Sequence, residues 1–243
     1  MMATTWTCEE KLAWLEGYKA IEKLVNTRSF LDLVKQGDGR WQEFWCAPEA
    51  EPTLGVNDGF YQGYEAVGAY YEAKRRITEA KSRLVGQAYP QLAGKTPEEL
   101  FGIGQMTVQN LTCQVIEVAR DGRTAKGLWY YTTIDLDLAP SGPEARWYWG
   151  RMGIDFRLED GQWKIWHLMD ALDFDGLMGT DWNNPEPVRP PLPEYQAVAE
   201  LKLPEPNVKR KNHEKFYRLR PVVPFPAVPK PYDTFADTFS YGM

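Results

Sequence analysis

Residues 146–174, RWYWGRMGIDFRLEDGQWKIWHLMDALDF, constrain the fold of this chain more than any other stretch. Two runs rich in aromatic and branched side chains flank Asp160-Gly161, a dipeptide that reaches the positive φ values of a tight hairpin turn. A pair of long antiparallel strands is expected here, and the rest of the chain has to cover at least one of its faces. On the second run Trp163, Ile165, His167 and Met169 alternate and share one face, while Lys164, Trp166, Leu168 and Asp170 take the other. His167 falls on the apolar side. It is one of two histidines in the chain, and its ordinary pKa of about 6.5 suits proton transfer near neutrality. A hydrogen-bonded core histidine would satisfy the same pattern.

Upstream of this hairpin the periodicity first reads as helix. Over residues 9–36, Ile21, Leu24, Val25, Arg28, Leu31 and Asp32 recur at three-and-four spacing, the stripe that faces a core. Arg28 and Asp32 occupy that stripe, four apart, where apolar side chains are expected. Gly37-Asp38-Gly39 stops the helix. A short helix is expected over Trp41–Cys46, a brief hairpin over Leu54–Tyr61 with Asn57-Asp58-Gly59 at its tip, and a helix from Tyr64 to Val85. From Met106 the pattern changes to strands: Met106–Val118, Thr124–Leu138 after the Asp121-Gly122 turn, Arg146–Leu158 and Gln162–Phe174. Helices first and a meander of strands afterwards is an α+β arrangement, with helices on one face of a curved antiparallel sheet.

Beyond about Leu177 the texture changes again. Twelve of the 18 prolines lie between Pro185 and Pro231, a density that helix interiors and central strands do not accept. Residues 1–184 therefore read as the domain and 185–243 as an extended arm. The arm keeps Tyr195, Phe216, Tyr217, Phe225, Tyr232, Phe235, Phe239 and Tyr241, anchors suited to wrapping over its own domain or a neighbouring subunit.

Composition closes off several function classes. A net charge of −6 argues against nucleic-acid binding. No apolar run approaches the ~20 residues that span a bilayer, and MMATTWTCEEK lacks the basic and apolar regions of a signal peptide. Three scattered cysteines, Cys8, Cys46 and Cys113, fit a reducing cytoplasm. There is no GxGxxG or GxxxxGK[ST] phosphate cradle, no HExxH or paired Cys/His set for a metal, and no GxSxG elbow. The expectation is chemistry without metal or cofactor, done by side chains through proton transfer and electrostatic stabilisation. Ten Trp, 13 Tyr and 10 Phe can fill a core, build a subunit interface or line a pocket for a flat ligand.

Several motifs carry a resemblance: Tyr61-x-Gly63-x-Glu65-Ala66-Val67 at the entry to the second long helix, Asp121-Gly122 followed by Thr124-Ala125-Lys126-Gly127, and Asp160-Gly161-x-Trp163-x-Ile165. Over about residues 10–180 the chain resembles the NTF2-like (SnoaL-like) superfamily. The resemblance implies a cone of curved sheet closed by helices around a deep pocket, with the proline-rich tail outside the common core. Its enzymes, among them scytalone dehydratase, bile-acid dehydratase, ketosteroid isomerase, polyketide cyclases and formaldehyde-removing lyases of diarylpropanes, act mostly on hydrophobic ring compounds without cofactor. It also implies a role for His167 on the last strand, places Arg28 where related dehydratases often carry a tyrosine, and puts Asp32 near their helix-borne acid. Gln109 stands where many relatives have a histidine, so the two-histidine pattern of scytalone dehydratase is incomplete here.

The site expected on this basis is a lyase pocket. His167 is the general acid or base, Asp32 orients it or shares its proton, and Arg28 with Tyr131 stabilises developing negative charge. Trp129, Tyr131, Thr133 and Asp135 share one strand face, as do Trp147, Trp149, Arg151, Gly153 and Asp155 on the next. If both face inward, Trp129, Trp149, Arg151, Asp135 and Asp155, with Gln109 and Tyr61, contact the substrate. In the opposite register Tyr130 and Tyr148 replace them, because a one-residue slip exchanges every side chain. The reaction expected is dehydration or retro-aldol loss of formaldehyde from a bulky, hydrophobic, aromatic small molecule, as in aromatic catabolism, by a homo-oligomer (dimer or trimer). The alternatives are an isomerase or cyclase and a non-catalytic binding or assembly subunit.

Overall fold

The computed structural model describes residues 6–56, 59–140, 142–178, 202–211, 213–217 and 219–242. The N-terminal helix α1 spans Cys8–Leu33 and opens with Thr7, whose side chain accepts from the Glu10 amide while Glu10 reaches back to the Thr7 amide. It buries Ile21 and Val25 and lies along strand β3. A 3₁₀ turn over Asp38–Glu43 takes the place of the helix expected at Trp41–Cys46. Strands β1 (Thr53–Val56) and β2 (Gly59–Gln62) form the brief hairpin, α2 runs Tyr64–Ala88, and a single-turn helix α3 at Pro97–Leu100 leads into the sheet.

The sheet is the expected meander: β3 (Gln105–Val118), β4 (Thr124–Ala139), β5 (Gly142–Glu159) and β6 (Gln162–Leu177). Asp160 and Gly161 both take positive φ, as the turn requires. The sheet order is β2-β1-β6-β5-β4-β3, and β1 runs parallel to β6, so the sheet is mixed rather than purely antiparallel. One face of it closes over α1 and α2 around Ile21, Val25, Trp45, Val67, Tyr71, Trp129, Ile154 and Phe156. This is the α+β, NTF2-like architecture. No helix among the described residues is long and apolar enough to cross a membrane.

Two β-bulges decide what each face carries. Between β5 and β6, Asp155 pairs with His167 but Phe156 pairs with Ile165, which leaves Trp166 as an extra residue. Trp149 pairs with Phe174 and Gly150 with Leu172, leaving Asp173 as another. Each insertion moves the following residues of β6 to the opposite face. The apolar alternation that begins at Trp163 and Ile165 therefore continues inward at Leu168 and Asp170, and His167 and Met169 turn outward.

The described part of the arm covers that outward face. Phe60 and Val208 exchange backbone hydrogen bonds at the β2 edge, and Asn207 hydrogen-bonds the Gln62 backbone through both ends of its side-chain amide. Tyr232 and Asp233 accept from the Arg120 and Asp121 amides. Tyr241 packs with Phe60 and Met169 as a second, smaller apolar cluster beside Val208, Phe225 and Phe239. The anchors expected at Phe225, Tyr232, Phe235, Phe239 and Tyr241 thus dock on their own domain. Tyr195 and the expected 184/185 boundary lie outside the described residues.

Candidate active site

On the concave side of the sheet, charged and phenolic groups gather inside an otherwise apolar enclosure. Arg28 donates to the Tyr71 hydroxyl at 3.2 Å. Lys74, near the middle of α2, pairs with Asp38 at 2.9 Å. Asp32 adds negative charge to the same group, acting on both Arg28 and Lys74. The sharp turn after α1 brings Gly37 so close to the Asp32 carboxylate that a β-carbon at 37 would collide with it. The polar interruption of the α1 stripe is thus a set of inward-facing groups with partners. Trp41 stacks on Tyr71 at 5.9 Å and 9°, and Tyr61 packs on Tyr70 at 4.9 Å, so a core of rings borders the polar group.

From the sheet, Tyr131 on β4 donates to Asp170 Oδ1 on β6 at 2.5 Å. The hydroxyl can approach because the intervening β5 residue is Gly150, where a β-carbon would stand 2.5 Å from it. The second carboxyl oxygen of Asp170 accepts no hydrogen bond among the described residues. Burial pushes the Asp170 carboxyl above the usual aspartate value, and it is held back by the Tyr131 hydrogen bond and by the Arg28 and Lys74 cations. Burial, with the Asp170 charge next, pushes the Tyr131 phenol far up, so it stays protonated and remains a donor. Burial works against the Lys74 cation, yet Asp38 and Tyr70 hold its pKa above the ordinary lysine value. The concave side thus holds a carboxyl group poised to exchange a proton at higher pH than a solvated one, near cations that favour negative charge on oxygen.

The same face continues along the strands with Gln109, which donates to Thr133 at 3.4 Å, and with Asp135, which Lys35 approaches at 3.8 Å and Thr107 hydrogen-bonds. Tyr148 points into this stretch, its phenol pushed up by burial and by Asp135. Of the residues expected in the site, Arg28, Asp32, Tyr131, Asp135, Gln109 and Tyr61 therefore do share the concave side. Trp129 is there too but is only 1% exposed, edge-on to Phe156, and is part of the core rather than of a free surface. The Tyr61 hydroxyl is engaged by the Pro204 carbonyl of the arm at 2.6 Å.

His167, Asp155, Arg151 and Trp149 are separated from that group by the sheet itself. His167 Nδ1 lies 2.9 Å from Asp155 Oδ2, and the same carboxylate oxygen accepts from Ser240 Oγ and the Tyr241 amide. Lys126 meets Asp155 Oδ1 at 2.5 Å, with no accessible surface on either side chain. Phe235, Phe239 and Tyr241 stand 4.3 to 4.9 Å from the Lys126 ammonium. Gly242 packs so tightly on the imidazole that a β-carbon there would come within 2.6 Å of it. His167 is thus a fastening point for the C-terminal arm, and the histidine-centred pocket expected above is corrected on geometry: the bulge at Trp166 exchanged the faces of His167 and Asp170. Arg151 and Trp149 sit on the outer face as well, Arg151 held by both oxygens of Asp173. Asp170, Lys74 and Tyr70 were missed, and the signal available for them was an acidic residue alternating with Leu168 inside an apolar strand.

Among solved structures, a type 2 hexachlorocyclohexane dehydrochlorinase is similar at 14% identity over 70% of this chain and 95% of its own, with a TM-score of 0.47. A type 3 enzyme of the same description from Novosphingobium barchaimii gives 14%, 70%, 96% and 0.45. A proposed scytalone dehydratase from Novosphingobium aromaticivorans gives 12%, 72%, 94% and 0.47. No activity follows from similarities of this size. No curated protein matches the chain. The SnoaL-like domain model, by contrast, matches residues 15–169, from within α1 to the middle of β6. With the helices packed on one face of a mixed sheet in agreement, the chain belongs to the SnoaL-like family of the NTF2-like superfamily.

Proposed function

We propose that this protein is a cofactor-independent lyase acting on a bulky, hydrophobic, aromatic small molecule within the concave face. The observation that carries the reading is Asp170: an inward carboxyl group, raised by burial, fixed through one oxygen by Tyr131 and set among the Arg28 and Lys74 cations. As the carboxylate it removes a proton from the ligand, and Arg28 and Tyr70 stabilise the negative charge that develops on a ligand oxygen. In a dehydration the leaving hydroxyl takes that proton back from Asp170 and departs as water. In a retro-aldol step the proton comes from a hydroxyl, the carbon–carbon bond breaks, formaldehyde leaves and the carbanion is reprotonated. The rings of Trp41, Tyr61, Tyr70 and Tyr71 that border the polar group favour an aromatic substrate.

The test is to incubate the protein with hydroxylated aromatic compounds and follow product masses. Loss of water or of formaldehyde supports the lyase reading and identifies its branch. Asp170→Asn should then lower the rate by at least ~100-fold, the usual contribution of a positioned acid or base. A product of unchanged mass indicates the isomerase alternative, and a folded Asp170→Asn variant of full activity refutes the site.

A further inference from the structure

A cavity lies on the outer side of the sheet, between β5, β6 and the arm. Its volume is about 730 Å³, within the ordinary range for a small-molecule site. The floor is Trp149 stacked on Phe174, centroids 5.8 Å apart at 18°. The arm supplies a facing wall in which His213 and Phe225 stack at 5.8 Å and 13°. Both ring pairs line the one cavity. At its base Arg151, only 5% exposed, holds Asp173 with two hydrogen bonds and the Val223 carbonyl with a third. His213 completes this base through Nε2, 3.1 Å from the same carboxylate. Burial holds His213 below the ordinary imidazole value, so it is a neutral ring that donates to Asp173.

The lining charges are unbalanced. Arg151, Lys211, Lys215 and Arg220 face two carboxylates, Asp173 and Glu214, in a chain whose net charge is −6. Lys211 and Arg220 both turn to Glu214, and the Lys211 and Glu214 side chains are 61% and 51% exposed. Such surface pairs hold weakly and can turn to a ligand. Lys215 reaches Asp175, outside the lining, at 2.6 Å.

We propose that this outer cavity binds a planar aromatic carboxylate, its ring between the Trp149/Phe174 and His213/Phe225 pairs and its carboxylate toward Lys211 and Arg220. The site is separate from the concave face and does not depend on the lyase reading. It exists only where the arm is docked, so the ligand and the arm stabilise each other's placement.

Calorimetric titration of the full-length protein with 2-naphthoate and with neutral 2-naphthol tests it. The wild type should bind 2-naphthoate at least about 10-fold more tightly than 2-naphthol, the ratio of one additional charge-assisted contact of about 1.4 kcal/mol. Trp149→Ala should weaken 2-naphthoate by about 10-fold, Arg220→Glu should erase the preference for the anion, and Asp170→Asn should leave binding unchanged. Because Trp149 is 42% exposed and Arg220 lies at the surface, both variants should melt like the wild type. Equal affinity for the two naphthalenes, or binding lost in Asp170→Asn but kept in both outer-face variants, overturns the proposal.

Discussion

Tyr131→Phe isolates one hydrogen bond whose consequence can be worked through. The Tyr131 hydroxyl donates to Asp170 Oδ1 at 2.5 Å, and the change removes only that oxygen. A hydrogen bond to a charged group contributes about 1.5–3 kcal/mol to the charged form, and one pKa unit corresponds to about 1.36 kcal/mol. Burial raises the Asp170 carboxyl, and the Tyr131 bond opposes that rise. Without it the proton should be held to a pH higher by about 1–2 units. If Asp170 must be ionised to act, the acid limb of kcat/KM moves up by that amount, and activity below the limb falls in proportion. Stability provides a readout that needs no substrate. Because the folded-state carboxyl titrates above the unfolded one, the native protein binds the extra proton between those two values. Stability is therefore greatest below the unfolded value and declines as pH rises through the folded one. In Tyr131→Phe the decline should extend to higher pH in urea unfolding. An acid limb that stays in place or moves down would refute the assignment of Asp170 as the titrating group.

The other expectations concern both faces of the sheet. His167→Ala should loosen the arm and lower the melting temperature while leaving turnover within a few-fold; a folded variant with a ~100-fold slower rate would return the histidine to the reaction. Lys126→Met leaves Asp155 buried without its cation and should cost about 3–5 kcal/mol in urea unfolding; a loss below about 1 kcal/mol would mean that His167, Ser240 and Tyr241 already satisfy the carboxylate. Deletion of residues 235–243 removes Phe235, Phe239 and Tyr241 from the Lys126 site and should lower thermal stability or alter the mass in solution measured by light scattering. An unchanged melting curve and mass would show that the last turn of the arm contributes nothing to the fold.

What the sequence by itself determined was the set of local elements. Asp160-Gly161 specified a hairpin because few other dipeptides accept its positive φ values. The α1 stripe specified an inward Arg28 and Asp32 because helical period leaves them no other side. The proline density of the arm excluded helices and central strands, and the aromatics within it marked docking points. Alternation also placed Tyr131, Asp135 and Gln109 on a common side, since β3 and β4 stay in register from Gln105 to Thr112. Only the tertiary structure decided between His167 and Asp170. Period-two reasoning carries a face assignment along a strand until one residue is inserted, and Trp166 is that residue. A bulge follows from how β5, β6 and the neighbouring β1 pair and twist together, which no property of WKIWHLMD alone specifies. The course of the arm was likewise decided in three dimensions: its backbone bonds to β2 and its contacts with Asp155, Lys126 and His167 join residues far apart in the chain, and only the folded sheet brings them to one surface.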